Sequence, residues 1–435
     1  MSILKGKYFP YGIHVNGNKA LSKDSPILVM PSPNKVYLSL SQHIGAPAEP
    51  IVSAGDCVKK GSLIAKETGF ISANVYSSIS GTVVGIEEIV NGLGQKQKYI
   101  IIENDNKNEE EFFPPLEDFS RESLIKRIRD AGIVGLGGAG FPTAVKLLSK
   151  TTPDTLIING AECEPYLTCD YRLMLERAND IMEGIEYLKI ATGAKDVIMG
   201  IESNKMDVIK MYNDLFPTLK ICQLKKQYPM GSEKHLIYCA TGRKVPAGKL
   251  PLDVGCSVQN IKTVVAVLEA IKENKPLTQI VLTVSGRGIN SAKNIKVSLG
   301  TPFKDIIDFV GGMTESVEKI ICGGPMMGKA IVNLCQYARK TDSGILFLTG
   351  KEIDARKPSN CINCGRCAKN CPMRLMPMYI ELYSLAGDFE KAQKYGAMNC
   401  LECGSCAYNC PAKRPLVQNI SFAKSKIKEL MANGK

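Results

Sequence analysis

The sequence predicts a multidomain α/β and α+β protein, and three observations carry this prediction. The first hundred residues contain short apolar runs separated by glycine turns, which is typical of small β domains. Residues 132–275 alternate strand-like and helical patterns, which favours a mostly parallel sheet covered by helices. Near the C-terminus one spacing of four cysteines and a proline occurs twice. With 435 residues, 44% of them hydrophobic, the chain has room for several domains with their own cores.

Residues 1–110 are predicted to form a barrel-sandwich domain. Strands are predicted at 26–30, 35–40 and 98–102. The stretches 55–65 and 80–86 predict strands broken at tight turns, and they resemble the repeats of biotinyl/lipoyl-type domains. Domains of that type carry their prosthetic group on a lysine in a tip such as Met-Lys-Met, and this sequence has no such tip. The resemblance therefore implies a docking role here and not a swinging arm.

Residues 111–275 are predicted to form a Rossmann-like α/β domain. An acidic stretch with two prolines at 109–115 reads as the linker before it. Ser120 is expected to cap the first helix, because an apolar stripe with helical spacing follows it. Buried strands are predicted at 155–158 and 196–199, and helices at 172–191 and 258–272.

Two smaller modules are predicted to follow. Residues 276–345 contain strands at 279–285 and 296–299 and a helix at 301–310, which is the pattern of a β-grasp module. Residues 350–435 are predicted to be helical, with helices at 376–385 and 389–397 between the two cysteine runs. That helical hairpin would bring the second run back against the first.

The two cysteine runs have the C-x2-C-x2-C-x3-C-P spacing of bacterial ferredoxins, which bind two [4Fe–4S] clusters. In that arrangement the fourth cysteine of each run ligates the other cluster. One cluster is then expected on Cys361, Cys364, Cys367 and Cys410, and the other on Cys400, Cys403, Cys406 and Cys371. The alternatives are zinc ribbons, which use C-x2-C pairs, and disulfides, which need an oxidising compartment. The doubled spacing favours clusters and hence one-electron transfer.

Composition limits the possible partners. The net charge of +12 suggests nucleic acid or an anionic membrane surface, but the negative charge of two thiolate-bound clusters accounts for part of the surplus. With 6% aromatic residues and no tryptophan, the chain does not have the signature of an RNA-binding protein, and no nucleic-acid partner is expected. It has no run of about 18 apolar residues, so no membrane-spanning helix is expected, and sixteen cysteines without a signal-peptide pattern indicate a reducing cytoplasm.

A glycine-rich loop is the second informative stretch. Gly135, Gly137 and Gly138 precede Phe141, Pro142 and Lys146, in an order that predicts a tight turn followed by a helix. Glycines let backbone N–H groups approach a phosphate or a flat ring, and the helix onset adds a favourable dipole. As a bare glycine loop, the stretch fits a tight turn packed on a helix nearly as well.

An acidic loop follows the next predicted strand. Asn159, Glu162 and Glu164 come where that strand ends, and the carboxyl ends of parallel strands face the ligand crevice. A solvated turn is the alternative interpretation.

Together the two loops resemble a known family. The run Gly-Leu-Gly-Gly-Ala-Gly-Phe-Pro-Thr at 135–143 and the run Asn-Gly-Ala-Glu-Cys-Glu-Pro at 159–165 are similar to the flavin-binding, NADH-oxidising subunit of respiratory complex I. The order of domains resembles the C subunit of the Rnf electron-transport complexes over nearly the whole chain. Complex I holds one cluster in this region, and microcompartment cobalamin reductases place the flavin fold first and the barrel last.

This resemblance implies two cofactor or substrate sites. It implies FMN bound by Gly135, Gly137, Gly138, Lys146, Asn159, Glu162 and Glu164. It implies NADH near Phe141, with Glu164 and Glu233 beside the nicotinamide ribose. Asn260 lies in a loop that carries two asparagines in the family, and Gln259 replaces the other one. Leu136 and Ala161 depart from the complex I pattern, and Cys163 is interpreted as a packing residue.

The function implied by the resemblance is that of an NADH-dependent oxidoreductase subunit. It would pass electrons between NAD(H), FMN and two clusters, within a membrane complex that couples ferredoxin:NAD electron transfer to ion translocation. Integral-membrane subunits and ferredoxin, or another iron–sulfur subunit, would be its partners at the cytoplasmic face of the membrane. No acid–base or nucleophilic residue is required, and the isolated His14, His43 and His235 are taken as structural.

Two other functions stay open at the level of sequence. One is a soluble cobalamin-reducing or other diaphorase-type flavoenzyme. The other is a cluster-bearing assembly subunit without a nucleotide site. Docking to a membrane complex is expected through the barrel domain, with the basic tail of Lys424, Lys426 and Lys428 as the second candidate surface.

Overall fold

The computed structural model describes residues 3–149, 151–432 and 434, which fold around four β-sheets. The sheets contain five, six, four and three strands, and a helical region follows them. This confirms the predicted multidomain α/β and α+β class. Residues 1, 2, 433 and 435, which lie at the ends of the first and last predicted domains, are outside the described residues.

Residues 3–104 contain nine strands. These are β1 (Ile3–Lys5), β2 (Ile27–Val29), β3 (Lys35–Ser39), β4 (Glu49–Pro50), β5 (Cys57–Val58), β6 (Leu63–Lys66), β7 (Val75–Tyr76), β8 (Gly81–Val90) and β9 (Lys96–Asn104). Strands β3, β9, β8 and β5 form one antiparallel sheet, and β4, β6 and β7 form another. Apolar residues from both sheets, including Leu38, Ile64 and Ile100, are fully buried in the same core cluster, as expected for a barrel sandwich.

The central unit is a parallel sheet with helices. Its elements are α1 (Arg121–Asp130), α2 (Thr143–Leu147), β10 (Thr155–Gly160), α3 (Cys169–Glu176), α4 (Ala178–Thr192), β11 (Asp196–Glu202), α5 (Met206–Leu215), β12 (Lys220–Leu224), α6 (Glu233–Thr241), β13 (Cys256–Asn260) and α7 (Ile261–Ile271). The strand order β1-β12-β11-β10-β13 is parallel throughout. Both loops singled out in the sequence reach the carboxyl edge of this sheet, where α/β folds bind their ligands.

Two predicted helices differ from the observed ones. The predicted helix 172–191 is two helices, α3 and α4, broken at Arg177. The Arg177 side chain forms ion pairs with Asp180, Glu269 and Glu273, which stabilise the break. The predicted helix 258–272 starts only at residue 261, because residues 256–260 pair with β10 as strand β13.

The β-grasp unit consists of β14 (Gln279–Ser285), β15 (Lys293–Ser298), α8 (Phe303–Phe309), β16 (Val317–Cys322), β17 (Lys329–Ala330) and β18 (Gly344–Thr349). Its strand order is β17-β16-β18-β14-β15-β2. All six residues of strand β18, which ends at residue 349, are buried.

The N-terminal segment pairs outside the barrel. Strand β1 adds a parallel edge to the central sheet through β12, and β2 pairs in parallel with β15 of the β-grasp sheet. The predicted domain 1–110 therefore begins with about thirty residues that complete two other sheets. Sequence patterns show that 26–30 is extended, but not which strand it pairs with.

The C-terminal unit contains α9 (Arg366–Lys369), α10 (Pro377–Leu385), α11 (Phe389–Lys394), α12 (Ser405–Tyr408) and α13 (Leu416–Ala432). Ile380, Ala392 and Ile420 form its separate buried core. The buried Glu381 carboxylate pairs with Arg414, N···O 3.1 Å, and this pair joins α10 to the segment before α13. Among the described helices, none has the length and hydropathy needed to cross a bilayer.

Candidate functional site

The two cysteine runs form two separate cages. Four cysteines line one small cavity, which we call the outer cage: Cys361, Cys364, Cys367 and Cys410. Four others line a second cavity, the inner cage: Cys371, Cys400, Cys403 and Cys406. Each cage takes three cysteines from one run and the fourth from the other run. This grouping is the one that the spacing predicts, and the ligation itself stays a prediction.

The cages differ in exposure. In the outer cage Cys361 and Cys364 are exposed, whereas in the inner cage Cys371, Cys403 and Cys406 are buried. Backbone N–H groups donate to two inner sulfurs, from Leu375 to Cys371 and from Glu402 to Cys400, at 3.3 Å each. Such N–H···S bonds stabilise a reduced cluster and adjust its potential.

The inner cage lies against the central α/β unit. Cys403 belongs to a buried cluster with Ile13 and Tyr228, and Cys163 of the acidic loop packs on that cluster. The Nε2 atom of His235 lies 3.2 Å from the carbonyl oxygen of Pro372, the residue after Cys371. The acidic loop and the inner cage are therefore neighbours.

The glycine loop has one part fixed by packing and one part open. A Cβ atom on Gly137 would lie 2.5 Å from Cγ of Asn260, and one on Gly140 would lie 2.7 Å from Cγ2 of Thr341. Gly138 has open space on that side, and both Gly137 and Gly138 are exposed. The packed-turn interpretation therefore explains Gly137 and Gly140, while the free space at Gly138 suits the approach of a ligand.

Lys146 and Glu233 meet across the mouth of this loop. The Lys146 ammonium donates to Glu233 at 2.8 Å and lies 3.5 Å from the carbonyl oxygen of Val258. Both side chains are about one-third exposed, at 34% and 38%. Phe141, in the same loop, is half-buried. Lysine and glutamate are thus held in place but still within reach of a ligand.

The acidic loop is tied to its surroundings by two amide side chains. Asn159 Nδ2 donates to the carbonyl oxygen of Gly231 at 2.9 Å, which joins the loop to the start of α6. Glu162 accepts from the backbone N–H of Asp170 at 2.7 Å, and Asn260 Nδ2 donates to Asp170 at 2.8 Å. A chain of hydrogen bonds therefore connects Glu162 with Asn260, which itself lies under Gly137.

Glu162 is a buried acid with a perturbed proton affinity. Its side chain is 4% exposed, and burial raises its pKa to about 7, with the repulsion of Asp170 acting in the same direction. The Lys19 ammonium, 3.7 Å away, opposes this rise. Near neutral pH the protonated and ionised forms of this carboxyl are therefore close in free energy.

The Glu164 side chain accepts hydrogen bonds from other parts of the protein. Its carboxylate accepts from the backbone N–H groups of Met326 and Met327 at 3.1 and 3.0 Å and from the Tyr228 hydroxyl at 3.1 Å. Burial raises its pKa to about 7. These contacts connect the acidic loop to the β-grasp turn beside the inner cage. Its implied place at the nicotinamide ribose stays a prediction.

Cys163 is a buried thiol between these acids. Its sulfur accepts from the N–H of Gly231 at 3.3 Å, and burial raises its pKa far above neutral. A thiol of this kind is not a nucleophile at neutral pH, which agrees with a packing role.

Three contributing residues were not predicted. Lys19 reaches the acidic loop from the N-terminal segment and donates to the carbonyl oxygen of Glu164 at 3.1 Å. Asp170 and Tyr228 complete the hydrogen bonds of Glu162 and Glu164. Lys19 lies over 140 residues from the loop in sequence, so no local pattern indicates the contact.

The residues present fit a flavin. Three buried side-chain atoms in the loops that carry the resemblance have no hydrogen-bond partner: Oγ1 of Thr143, Oε2 of Glu162 and Nε2 of Gln259. Of these, Oε2 of Glu162 lies 3.7 Å from the Lys19 ammonium. Polar atoms of this kind are normally satisfied, so a polar ligand is the natural partner. The eight cysteines in two cages have the donor set and grouping of two [4Fe–4S] clusters.

Family profiles match four parts of the chain. Residues 7–107 match the RnfC barrel sandwich hybrid domain, and residues 128–269 match the Nuo51 FMN-binding domain. Residues 281–330 match the SLBB domain, and residues 360–413 match a 4Fe-4S dicluster domain. The types of domain and their order agree with the prediction, whereas the predicted boundaries stay untested.

Curated relatives align over almost the whole chain. The chain is 46% identical over 429 residues to the C subunit of the proton-translocating ferredoxin:NAD(+) oxidoreductase complex of Clostridium ljungdahlii, covering 96% of this chain and 94% of that protein. It is 47% identical over 431 residues to the C subunit of the ion-translocating oxidoreductase complex of Rhodobacter capsulatus, covering 96% and 83%. It is 40% identical over 430 residues to the C subunit of the Na(+)-translocating ferredoxin:NAD(+) oxidoreductase complex of Acetobacterium woodii, covering 96% and 97%.

A solved structure shares the fold. A chain of an NAD+-reducing [NiFe]-hydrogenase in the H2-reduced state superposes with a TM-score of 0.52 at 17% identity, covering 74% of this chain and 68% of that chain.

Proposed function

The chain belongs to the family of C subunits of ion-translocating ferredoxin:NAD(+) oxidoreductase complexes, and we infer from this that it works as the NAD(H)-side electron-transfer subunit of such a complex. It is an oxidoreductase subunit with an FMN-binding domain and a [4Fe–4S] dicluster domain. FMN, when bound, exchanges two electrons with NAD(H) as a hydride and one electron at a time with iron–sulfur clusters.

The observation that carries this proposal is the contact between the flavin-domain loop and the inner cage. Cys163 of the acidic loop, Tyr228 and Cys403 pack around one buried cluster. Electron transfer needs such proximity, and burial keeps water out of the path. In the outer cage Cys361 and Cys364 are exposed, which gives a redox partner access to that cage.

The chain's own residues have separate roles in this proposal. Gly138 leaves room for the ligand, while Asn159 and Asn260 are fixed by hydrogen bonds beside it. Lys146 supplies positive charge to a phosphate or a ring carbonyl, and Glu233 orients the lysine. The assignment of FMN to Gly135, Gly137, Gly138, Lys146, Asn159, Glu162 and Glu164, and of NADH to Phe141, Glu164 and Glu233, is our proposal, and we add Asn260 as a cofactor-binding residue.

The proposal extends to partners and location. As a member of this C-subunit family, the chain assembles with the other subunits of a complex. We place integral-membrane subunits and ferredoxin, or another iron–sulfur subunit, among those partners, and we place the chain at the cytoplasmic face of the membrane. The support is family membership together with a surface that includes an exposed cysteine cage.

Cofactor content and NADH reduction test the function. Anaerobically purified protein should contain about eight irons, eight sulfides and one FMN per chain. Stepwise NADH should bleach the flavin absorbance and then develop cluster EPR signals. The proposal would be contradicted if the protein contains the clusters and a flavin but NADH does not reduce that flavin.

A further inference from the structure

A basic cleft lies beside the acidic loop, and nothing above uses it. Its volume is about 480 Å³, and it opens between residues 16–23 and the carboxyl ends of β11 and β12. A narrower recess of about 80 Å³ shares Lys19, Asn204 and Lys226 with it and extends to Cys163 and Tyr228. The cleft thus leads from solvent to the back of the acidic loop.

The charge of the cleft is positive and partly uncompensated. Four lysines and Asp207 line it, and Lys19 faces Glu162 and Lys205 faces Glu202, at 3.7 and 3.6 Å. Within the part of the chain that the structure describes, the ammonium groups of Lys23 and Lys226 have no hydrogen-bond or ion-pair partner. Two free ammonium groups around one cavity favour an anion with more than one charged oxygen.

The rest of the lining suits a nucleoside. The amide side chains of Asn16, Asn18 and Asn204 line the cleft, and amides supply both donors and acceptors. The Asn204 amide also bonds to Glu202 and Lys205, at 3.5 and 3.3 Å. The Tyr171 ring lies on the wall, where its hydroxyl donates to Asp207. In the adjoining recess the buried Gln227 has an Oε1 atom without a hydrogen-bond partner. The cavity volume is within the range of about 300–1,000 Å³ that small-molecule sites have.

We propose that this cleft binds a nucleoside phosphate, with Lys23 and Lys226 on the phosphate groups. The site is distinct from the proposed FMN and NAD(H) residues, because neither Lys23 nor Lys226 belongs to the glycine loop, the acidic loop or the Lys146–Glu233 pair. The two regions touch through Lys19, which lines the cleft and donates to the carbonyl oxygen of Glu164 at 3.1 Å. A ligand in the cleft therefore contacts a residue that holds the acidic loop.

The test is calorimetric titration of the anaerobic, cofactor-loaded full chain, and the cleft variant distinguishes binding in the cleft from binding at the flavin-side nucleotide site. ADP should bind saturably, inorganic pyrophosphate should compete with it, and adenosine should not bind. The double variant Lys23→Gln/Lys226→Gln should bind ADP at least about tenfold more weakly, because two charge-assisted contacts are lost.

The matched control is Lys195→Gln/Lys210→Gln, which removes the same charge from two exposed lysines outside the cleft. It should bind ADP like the wild type. The proposal is overturned if ADP gives no saturable binding, if adenosine binds as tightly as ADP, or if both double variants lose affinity equally. NADH titration of the flavin in the same samples reports the proposed function separately, and it should be unchanged in both variants.

Discussion

At the scale of residues, the two cages divide the cysteines by environment. The inner cage is buried beside Tyr228 and receives N–H···S hydrogen bonds, whereas Cys361 and Cys364 of the outer cage are exposed. More hydrogen bonds to sulfur raise a cluster's potential, and solvent exposure changes it as well. The two clusters should therefore have distinguishable potentials although their sequence motifs are alike.

Exchanging the fourth cysteine of one run should damage the cage to which it is assigned. Cys371 follows the first run but lines the inner cavity, and Cys410 follows the second run but lines the outer cavity. Cys371→Ser should thus reduce the EPR signal of the inner cluster, and Cys410→Ser that of the outer one. Redox titration followed by EPR distinguishes the two signals. If each variant damages the cluster of its own run, the cross-ligation is wrong.

The buried Glu162 should give stability a measurable pH dependence. Its folded pKa is about 7 against an ordinary value of 4.5, so folding favours the protonated acid. That contribution is complete below about pH 4.5 and is lost as the pH rises through about 7, at most about 3 kcal/mol. When the pH is raised from 5 to 8, the free energy of unfolding measured by calorimetry should fall less for Glu162→Gln than for the wild type. Parallel curves for the two proteins would contradict this.

At the scale of elements, the hydrophobic patterns in the sequence predicted the strands that form one continuous apolar run. They did not predict with which other strands these strands pair. The two cysteine runs could be interpreted because the spacing that identifies each run lies within one short stretch of the chain. The predicted helix 258–272 includes the last three residues of the strand at 256–260, because the polar Gln259 and Asn260 hide the strand pattern, and pairing with β10 makes them extended. The contacts of Lys19 and Asp170 could not be predicted, since chain folding alone brings them to the acidic loop.

Lys340 joins three units and offers a test of how they depend on one another. Its ammonium is fully buried and donates to the carbonyl oxygens of Asn74 in the barrel, at 2.7 Å, and Gly132 before the glycine loop, at 2.8 Å. Lys340→Met would leave both carbonyls buried without a donor, at a cost of about 1–3 kcal/mol each. Hydrogen exchange in residues 131–141 should become faster. The exposed control Lys126→Met should leave that exchange unchanged, and an equal effect of both variants would contradict the role.

At the scale of the whole molecule, the N-terminal segment links the units before the barrel begins. Strand β1 completes the central sheet and β2 the β-grasp sheet, so the barrel is an insertion between these strands and α1.

The basic tail of Lys424, Lys426 and Lys428 is less available for docking than its sequence suggests. Lys424 is bonded to Glu402 and to the carbonyl oxygen of Cys400, and Lys426 pairs with Glu429. The barrel surface is thus the better candidate for the main docking face.

Docking through the barrel should depend on apolar contact and resist salt. Along β8 the side chains of Val84, Ile86 and Val90 are 43%, 38% and 54% exposed, and they lie on both sides of the register shift between Val83 and Gly85. These three side chains leave exposed apolar surface on the barrel. An apolar interface persists at high ionic strength, whereas attraction between exposed charges is screened. Membranes washed in high salt should therefore retain the intact chain and release a variant with serine at all three positions. Lys428→Gln, which removes charge from the tail, is the control and should be retained. Substitution is the sharper design because deleting residues 1–110 would also remove β1 and β2. Release of the intact chain by salt alone, or retention of the triple variant, would show that these β8 side chains are not the anchor.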